Sequence, residues 1–200
     1  MCKNIFYISI IFFTVACRVP NYHFENSFQT TGLDFSRGKW LLNEVDCPSN
    51  VHKQITNLSY SDFHSFIENR LCLTNEVAGI ILPQKIPFNP SKKTLNDIKL
   101  GANFDYFINI KAVSLKNELG IVDFTPHKLY SDRTSSVEVA IEIYDLNLKE
   151  IIYSQKVIGS INSSKDNNDV HFSHANRNLI ISAYKKLMRD INKKSIKNKL

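Results

Sequence analysis

Two runs of strict alternation constrain this chain more than any other feature of it. Phe104, Tyr106, Ile108, Ile110 and Ala112 alternate with residues that include Asp105, Asn109 and Lys111, and Val137, Val139, Ile141 and Ile143 alternate with residues that include Glu138 and Glu142. A period of two sends successive side chains to opposite faces of a strand, so both runs read as strands with a buried face. A third run, Ile151 to Ile161, follows the second after the polar link Asp145-Leu146-Asn147-Leu148-Lys149-Glu150, and the two should form a hairpin. Lys156 would then face one of the glutamates across the pair.

The rest of the chain supplies elements to pack on these strands. Lys39 to Val45 reads as a first strand, ended by the turn Asp46-Cys47-Pro48-Ser49-Asn50. A helix is expected over 51–71, with Ile55, Leu58, Phe63, Phe66, Ile67 and Leu71 near helical spacing and Ser49 or Asn50 as its cap. Val77 to Leu82 reads as a short buried strand, followed by Pro83, Pro87 and Pro90. Ser91 looks like the cap of a short helix carrying Leu95, Ile98 and Leu100, with Gly101 as its stop. A last helix near 170–191 shows the stripe Phe172, Ala175, Leu179, Ala183, Leu187 and Ile191. With 43% hydrophobic and 22% charged residues the chain can bury a real core. The expected fold is α+β: a single two-layer domain over residues 37–192, order β-α-β-α-β-β-β-α, a mixed sheet with helices on one face.

The formal charge of +6 belongs to the ends. Of 25 basic side chains, Lys3, Lys193, Lys194, Lys197 and Lys199 lie in the terminal segments, leaving 20 against 19 acidic ones over residues 18–192. A nucleic-acid-binding face needs Lys and Arg clustered on the folded body. No such cluster is visible, so no nucleic acid is expected as a partner.

The first residues have the layout of an export signal: one Lys before a run from Ile5 to Ala16 interrupted only by Ser9 and Thr14. The run is short for a membrane span, which needs about 20 residues. It ends Thr14-Val15-Ala16-Cys17, which resembles the lipobox of bacterial lipoproteins. That resemblance implies cleavage between Ala16 and Cys17, a diacylglycerol thioether on Cys17 and acylation of its new amino group. Residues 1–16 would be signal peptide, 17–36 the lipidated cysteine and a tether, and 193–200 a basic disordered tail. Arg18, where the enterobacterial inner-membrane signal has Asp, and the absence of an acidic run after Cys17 imply an outer-membrane anchor facing the periplasm.

Two further stretches carry a resemblance at the level of pattern. Leu100-Gly101-Ala102-Asn103-Phe104-Asp105-Tyr106-Phe107-Ile108 and Glu142-Ile143-Tyr144-Asp145-Leu146 are similar to a helix-glycine-strand junction and a strand running into Tyr-Asp-Leu. Both occur in the small α/β envelope domain of the curli-secretion lipoprotein, the lipoprotein activators of peptidoglycan synthases and the N-terminal domain of the Tol translocation protein. The resemblance spans about residues 38–191 and implies protein–protein contact and assembly rather than catalysis.

Candidate chemistry is sparse. His171 and His174 share a helix start, but no nearby Cys, Glu or third His completes a metal set, though Asp166 and Asp169 precede them. Asp105, Asp123, His127 and Ser154 make an acid–base set only on paper, with no Gly-x-Ser-x-Gly elbow, no His-Glu-x-x-His and no phosphate-binding loop. Six glycines leave little for a glycine-cradled cofactor, so no catalytic residue, cofactor or metal is expected. Cys47 and Cys72 flank the first helix and admit either a disulfide between them or two reduced thiols. The segment 116–136 is long for an internal connection. It mixes aromatic and basic residues, and Phe124, His127, Tyr130 and Arg133 are the expected partner contacts, unless the segment packs as a lid over the core. The partners expected are the membrane, through lipid on Cys17, and an envelope protein. The alternatives are a self-associating subunit of a secretion or assembly complex and an envelope hydrolase using dispersed residues.

Overall fold

The computed structural model of the protein describes residues 19–29, 33–77, 86–115, 133–163 and 169–196. In chain order its elements are strand β1 (Asn21–Gln29), β2 (Trp40–Leu42), helix α1 (Ser49–Ile67), β3 (Leu71–Leu73), α2 (Lys92–Ala102), β4 (Tyr106–Leu115), β5 (Arg133–Asp145), β6 (Glu150–Ser163) and α3 (Asp169–Lys194). The expected signal segment and Cys17, most of the strand expected at 77–82 and the tail beyond 196 lie outside the described residues.

The six strands form one mixed sheet in the order β1-β6-β5-β4-β2-β3. β2 pairs in parallel with β3 and β4, and the β4, β5, β6 and β1 neighbours pair antiparallel. The α+β class and the expected hairpin are therefore seen: β5 and β6 pair from Arg133↔Ser163 to Asp145↔Glu150. Lys156 Nζ lies 3.1 Å from Glu138 Oε2 across it, as its position predicts.

The alternation decides which face each side chain takes. Trp40 and Leu42, Ile108, Ile110 and Ala112, and Val137, Val139, Ile141 and Ile143 all point to one face, where α1 and α3 cover them. α1 contributes Val51, Ile55, Phe63 and Ile67 to this core, and α3 contributes Leu179, Ala183, Tyr184, Leu187 and Ile191. Each fully buried aliphatic or Phe side chain adds roughly 1.5–3 kcal/mol. Trp40 is fully buried there. It stacks on Tyr106 at 4.3 Å, and its indole N–H donates to Arg37 O at 2.8 Å.

Not every helix shares that face. α2 turns Leu95 and Ile98 into a second cluster with Leu41, Phe107, Tyr144 and Leu146, on the opposite side of the sheet. Chain path explains this. The step from β2 to β3 moves outward and the step from β3 to β4 moves back across β2. Right-handed crossovers taken in opposite directions must use opposite faces.

Five local expectations are corrected. Residues 21–29 are not tether but strand β1, in register with β6 from Asn21↔Ser160 to Gln29↔Tyr153, and Leu33 is fully buried in the core. α1 does not run on to Leu71: Glu68 adopts φ 57°, a single 3-10 turn follows, and Leu71–Leu73 becomes β3. Its cap is Pro48 with no side-chain bond, because the proline enters the helix one residue before the serine expected to cap it. By contrast Ser91 caps α2 as expected, accepting from Thr94 N at 3.1 Å. α2 ends at Asn103 in the left-handed region rather than at Gly101. Lys193 and Lys194, assigned to a tail, complete α3, and Ser195 bridges to Leu33.

Candidate functional site: a groove on the outer face of the sheet

The face opposite α1 and α3 carries a ladder of buried polar groups, where pure apolar packing would be the default. Asn43 follows β2, Asn109 lies on β4, and Glu142 is its register partner on β5. All three are at most 6% exposed. A buried amide or carboxylate without partners costs several kcal/mol, and here the partners come from the chain segment 86–90. Asn43 Nδ2 donates to Ile86 O at 3.0 Å and to Asn109 Oδ1 at 2.9 Å, and Asn109 Nδ2 donates to Pro87 O at 2.8 Å. Asn89 N donates to Glu142 Oε2 at 3.0 Å, and the Tyr144 hydroxyl donates to the same oxygen. The proline-rich segment is strapped to the sheet by its own backbone. Burial, then the bond to Glu142, pushes the Tyr144 phenol far above its ordinary value, so it stays a donor.

Beside this strap lies an open groove of about 500 Å³. Phe28, Pro90, Leu95, Tyr144 and Ile151 make its apolar surface, and Lys92, Lys149 and Glu150 line it with charge. Phe28 reaches it because of a bulge. Between Glu25↔Lys156 and Phe28↔Ser154 the β1 strand carries one residue more than β6. That extra residue reverses the alternation and re-aims the ring onto the outer face. Phe28 remains 50% exposed. Lys149 is held by the β5–β6 turn, where Asp145 Oδ1 accepts from Asn147 N at 2.7 Å and Leu148 N at 3.0 Å. Chemically the groove offers apolar contact area on fixed elements, bordered by two ammonium groups and the Glu150 carboxylate.

The residues singled out from sequence are scattered. Phe124, His127 and Tyr130 lie outside the described residues, as does Asp123. Arg133 opens β5 opposite Ser163. His171 and His174 fall in the first turns of α3. Asp105 is committed to structure: it accepts from Lys39 N at 3.0 Å and Lys99 Nζ at 3.0 Å. Those contacts, the Lys39 N–H first, hold its carboxyl below the usual range. Ser154 pairs with Glu142 and Phe28, two strands across and about 13 Å along the strand direction from Asp105. Asp105 and Ser154 are thus not brought together, and Asp123 and His127 lie outside the described residues. Among the described residues, no three His, Cys, Asp or Glu side chains gather as a metal site would.

Cys47 and Cys72 are not joined. Cys47 packs against the main core and Cys72 against the second cluster, so the sheet separates them.

No family model and no curated protein matches the chain. Its fold is similar to that of several solved structures. The PelC dodecamer from Paraburkholderia phytofirmans is 10% identical over 82% of this chain and 95% of that one, with a TM-score of 0.37. Lipoprotein GNA1162 from Neisseria meningitidis is 10% identical over 77% and 99%, with a TM-score of 0.38. LpoB from E. coli is 12% identical over 66% and 60%, with a TM-score of 0.34.

Sequence reasoning missed Phe28 and with it the groove. The signal was there in part: Tyr22 and Phe24 alternate as strand residues do, but Asn26-Ser27 interrupts the pattern at the bulge.

Proposed function

We propose that this protein is a bacterial lipoprotein, cleaved before Cys17, whose folded domain is a non-enzymatic binding module facing the periplasm from the outer membrane. The observation that carries the binding role is the groove. Its apolar surface is preorganised by a buried hydrogen-bonded strap, and its two lysines suit an extended segment that is apolar with an acidic flank. The anchor rests on Thr14-Val15-Ala16-Cys17. One lipid chain gives only reversible attachment, whereas the three implied by the lipobox resemblance hold a protein lastingly. The segment holding Phe124, His127 and Tyr130 is a second contact surface in this reading.

Intact mass of the protein extracted from its host membrane tests the anchor, with Cys17→Ser as control. A mass of residues 17–200 plus lipid, absent in the control, supports it; an unlipidated chain starting elsewhere defeats it. Crosslinking from photoreactive residues placed at Phe28 and Lys149 tests the groove, compared with the same residue at exposed Asn75. A product specific to the groove positions, lost in Tyr144→Ala, supports the binding role.

A self-associating subunit is the second reading. It is favoured by the sheet's two edges, since β1 and β3 each pair on one side only among the described residues. Sedimentation of the lipidated protein in detergent distinguishes a large ring from a monomer.

A further inference from the structure

We propose that the edge of the sheet at β1 lies directly on the bilayer that holds the Cys17 lipid, with Val19 and Phe24 in the lipid interface. This inference rests on the lipoprotein reading above. β1 begins at Asn21, four residues after Cys17, and four extended residues span at most about 14 Å. β1 is no loose leader, because seven of its residues are in register with β6. A lipid on Cys17 therefore draws a sheet edge to the membrane surface, where a long tether would have let the domain swing free.

The side chains that arrive with that edge suit the surface. Val19 is 78% and Phe24 45% exposed. Such apolar groups beside an anchor gain by entering the interface, where aromatic rings are favoured. Lys186 Nζ lies 4.7 Å from the centroid of the Tyr22 ring, which places a cation beside the same stretch for anionic headgroups. The leash length, the fixed strand and this pairing of exposed apolar groups with a cation all point to a lipid surface. The opposite edge, β3, is five strands away, about 24 Å at the usual spacing, and faces away from the membrane.

The test uses the full lipidated chain in vesicles of phosphatidylethanolamine and phosphatidylglycerol with brominated acyl chains, which quench a tryptophan that touches them. Phe24→Trp is compared with Asn75→Trp, an exposed position in the turn after β3, over the signal of the buried Trp40. The Phe24→Trp emission should be largely lost while that of Asn75→Trp persists. Val19→Trp, which precedes the strand, gives the same reading should Phe24→Trp disturb β1. Equal quenching at Phe24 or Val19 and at Asn75 overturns the inference. So does a blue-shifted, unquenched Phe24→Trp, which means that a second protein copy covers the edge. The mass of the same sample separates the two claims. Lipid on Cys17 without quenching defeats this inference alone, and a chain without lipid defeats both.

Discussion

The backbone N–H of Leu146 donates to the carbonyl oxygen of Asp105 at 2.8 Å. This one bond joins the two sequence stretches that carry the family resemblance. Around it, Tyr106 pairs with Asp145, Asn147 Nδ2 lies 3.5 Å from Asp105 Oδ1, and Tyr144 and Leu146 bury against Phe107. Both stretches therefore serve the fold, and Tyr144 of the second also lines the groove. Asp105 closes the α2–β4 junction onto β2, and Asp145 shapes the turn that carries Lys149 to the groove.

Asp105→Ala should cost about 1–3 kcal/mol, since the carboxylate accepts from a backbone N–H and an ammonium. Its pH signature has a fixed sign. The folded carboxyl titrates below its ordinary value. The stabilisation is thus fully present above about pH 4, the unfolded value, and is lost as pH falls through the lower folded value. The group is about a third exposed, so solvent screening keeps the effect small. Urea denaturation from pH 6 to pH 2 should show Asp105→Asn less stable at the upper end and with a shallower acid loss. Parallel curves for the two proteins would refute the assignment.

Replacing Glu142 by Leu should unfasten the strap. It leaves Asn89 N–H and the Tyr144 hydroxyl without their shared acceptor, and orphaning the buried hydroxyl alone costs about 1–3 kcal/mol. Tyr144→Phe removes one donor and leaves the other bond intact, so it should cost less. Amide exchange at Phe88 and Asn89 should quicken sharply in Glu142→Leu and little in Tyr144→Phe. Unchanged protection in Glu142→Leu would show that the asparagine bonds alone hold the segment.

Reduction should leave the domain unaltered. A disulfide closing a loop of this length would contribute about 3 kcal/mol, but Cys47 and Cys72 lie on opposite sides of the sheet. Melting curves with and without reductant should coincide, and the mass should show two thiols. A lower midpoint in reductant would contradict this placement.

What the sequence revealed and what it hid follow from one distinction. β4, β5 and their hairpin partner were legible because each residue's burial is set by its own strand's alternation. Ile55, Phe63 and Ile67, at helical spacing, were legible for the same reason. β1 was not, because the bulge at Asn26-Ser27 breaks its period. Three-residue β3 hid behind the apolar end of α1. The side taken by α2 depends on the order of strands in space, which no local pattern carries. The groove needs Phe28, Leu95, Tyr144 and Ile151 from four separate elements, so only the assembled sheet brings it into view.

The place of β1 in the domain can be tested at Gly159. A Cβ there would meet the Tyr22 ring at 2.9 Å, because glycine lets that ring lie across the β6 backbone while Lys186 sits over it. Gly159→Ala should push Tyr22 aside at a cost of about 1–3 kcal/mol, and Gly159→Val more. The damage should stay near the edge, since among the described residues β1 gives the main core of Trp40, Ile55, Ile108 and Leu187 only the partly buried Tyr22. Hydrogen exchange should therefore rise in residues 21–29 while β4 and β5 keep their protection. Because β1 presents Phe28, groove crosslinking should fall together with that protection. Loss of β1 protection with crosslinking intact would move the partner's contact away from Phe28 and toward Lys92 and Lys149.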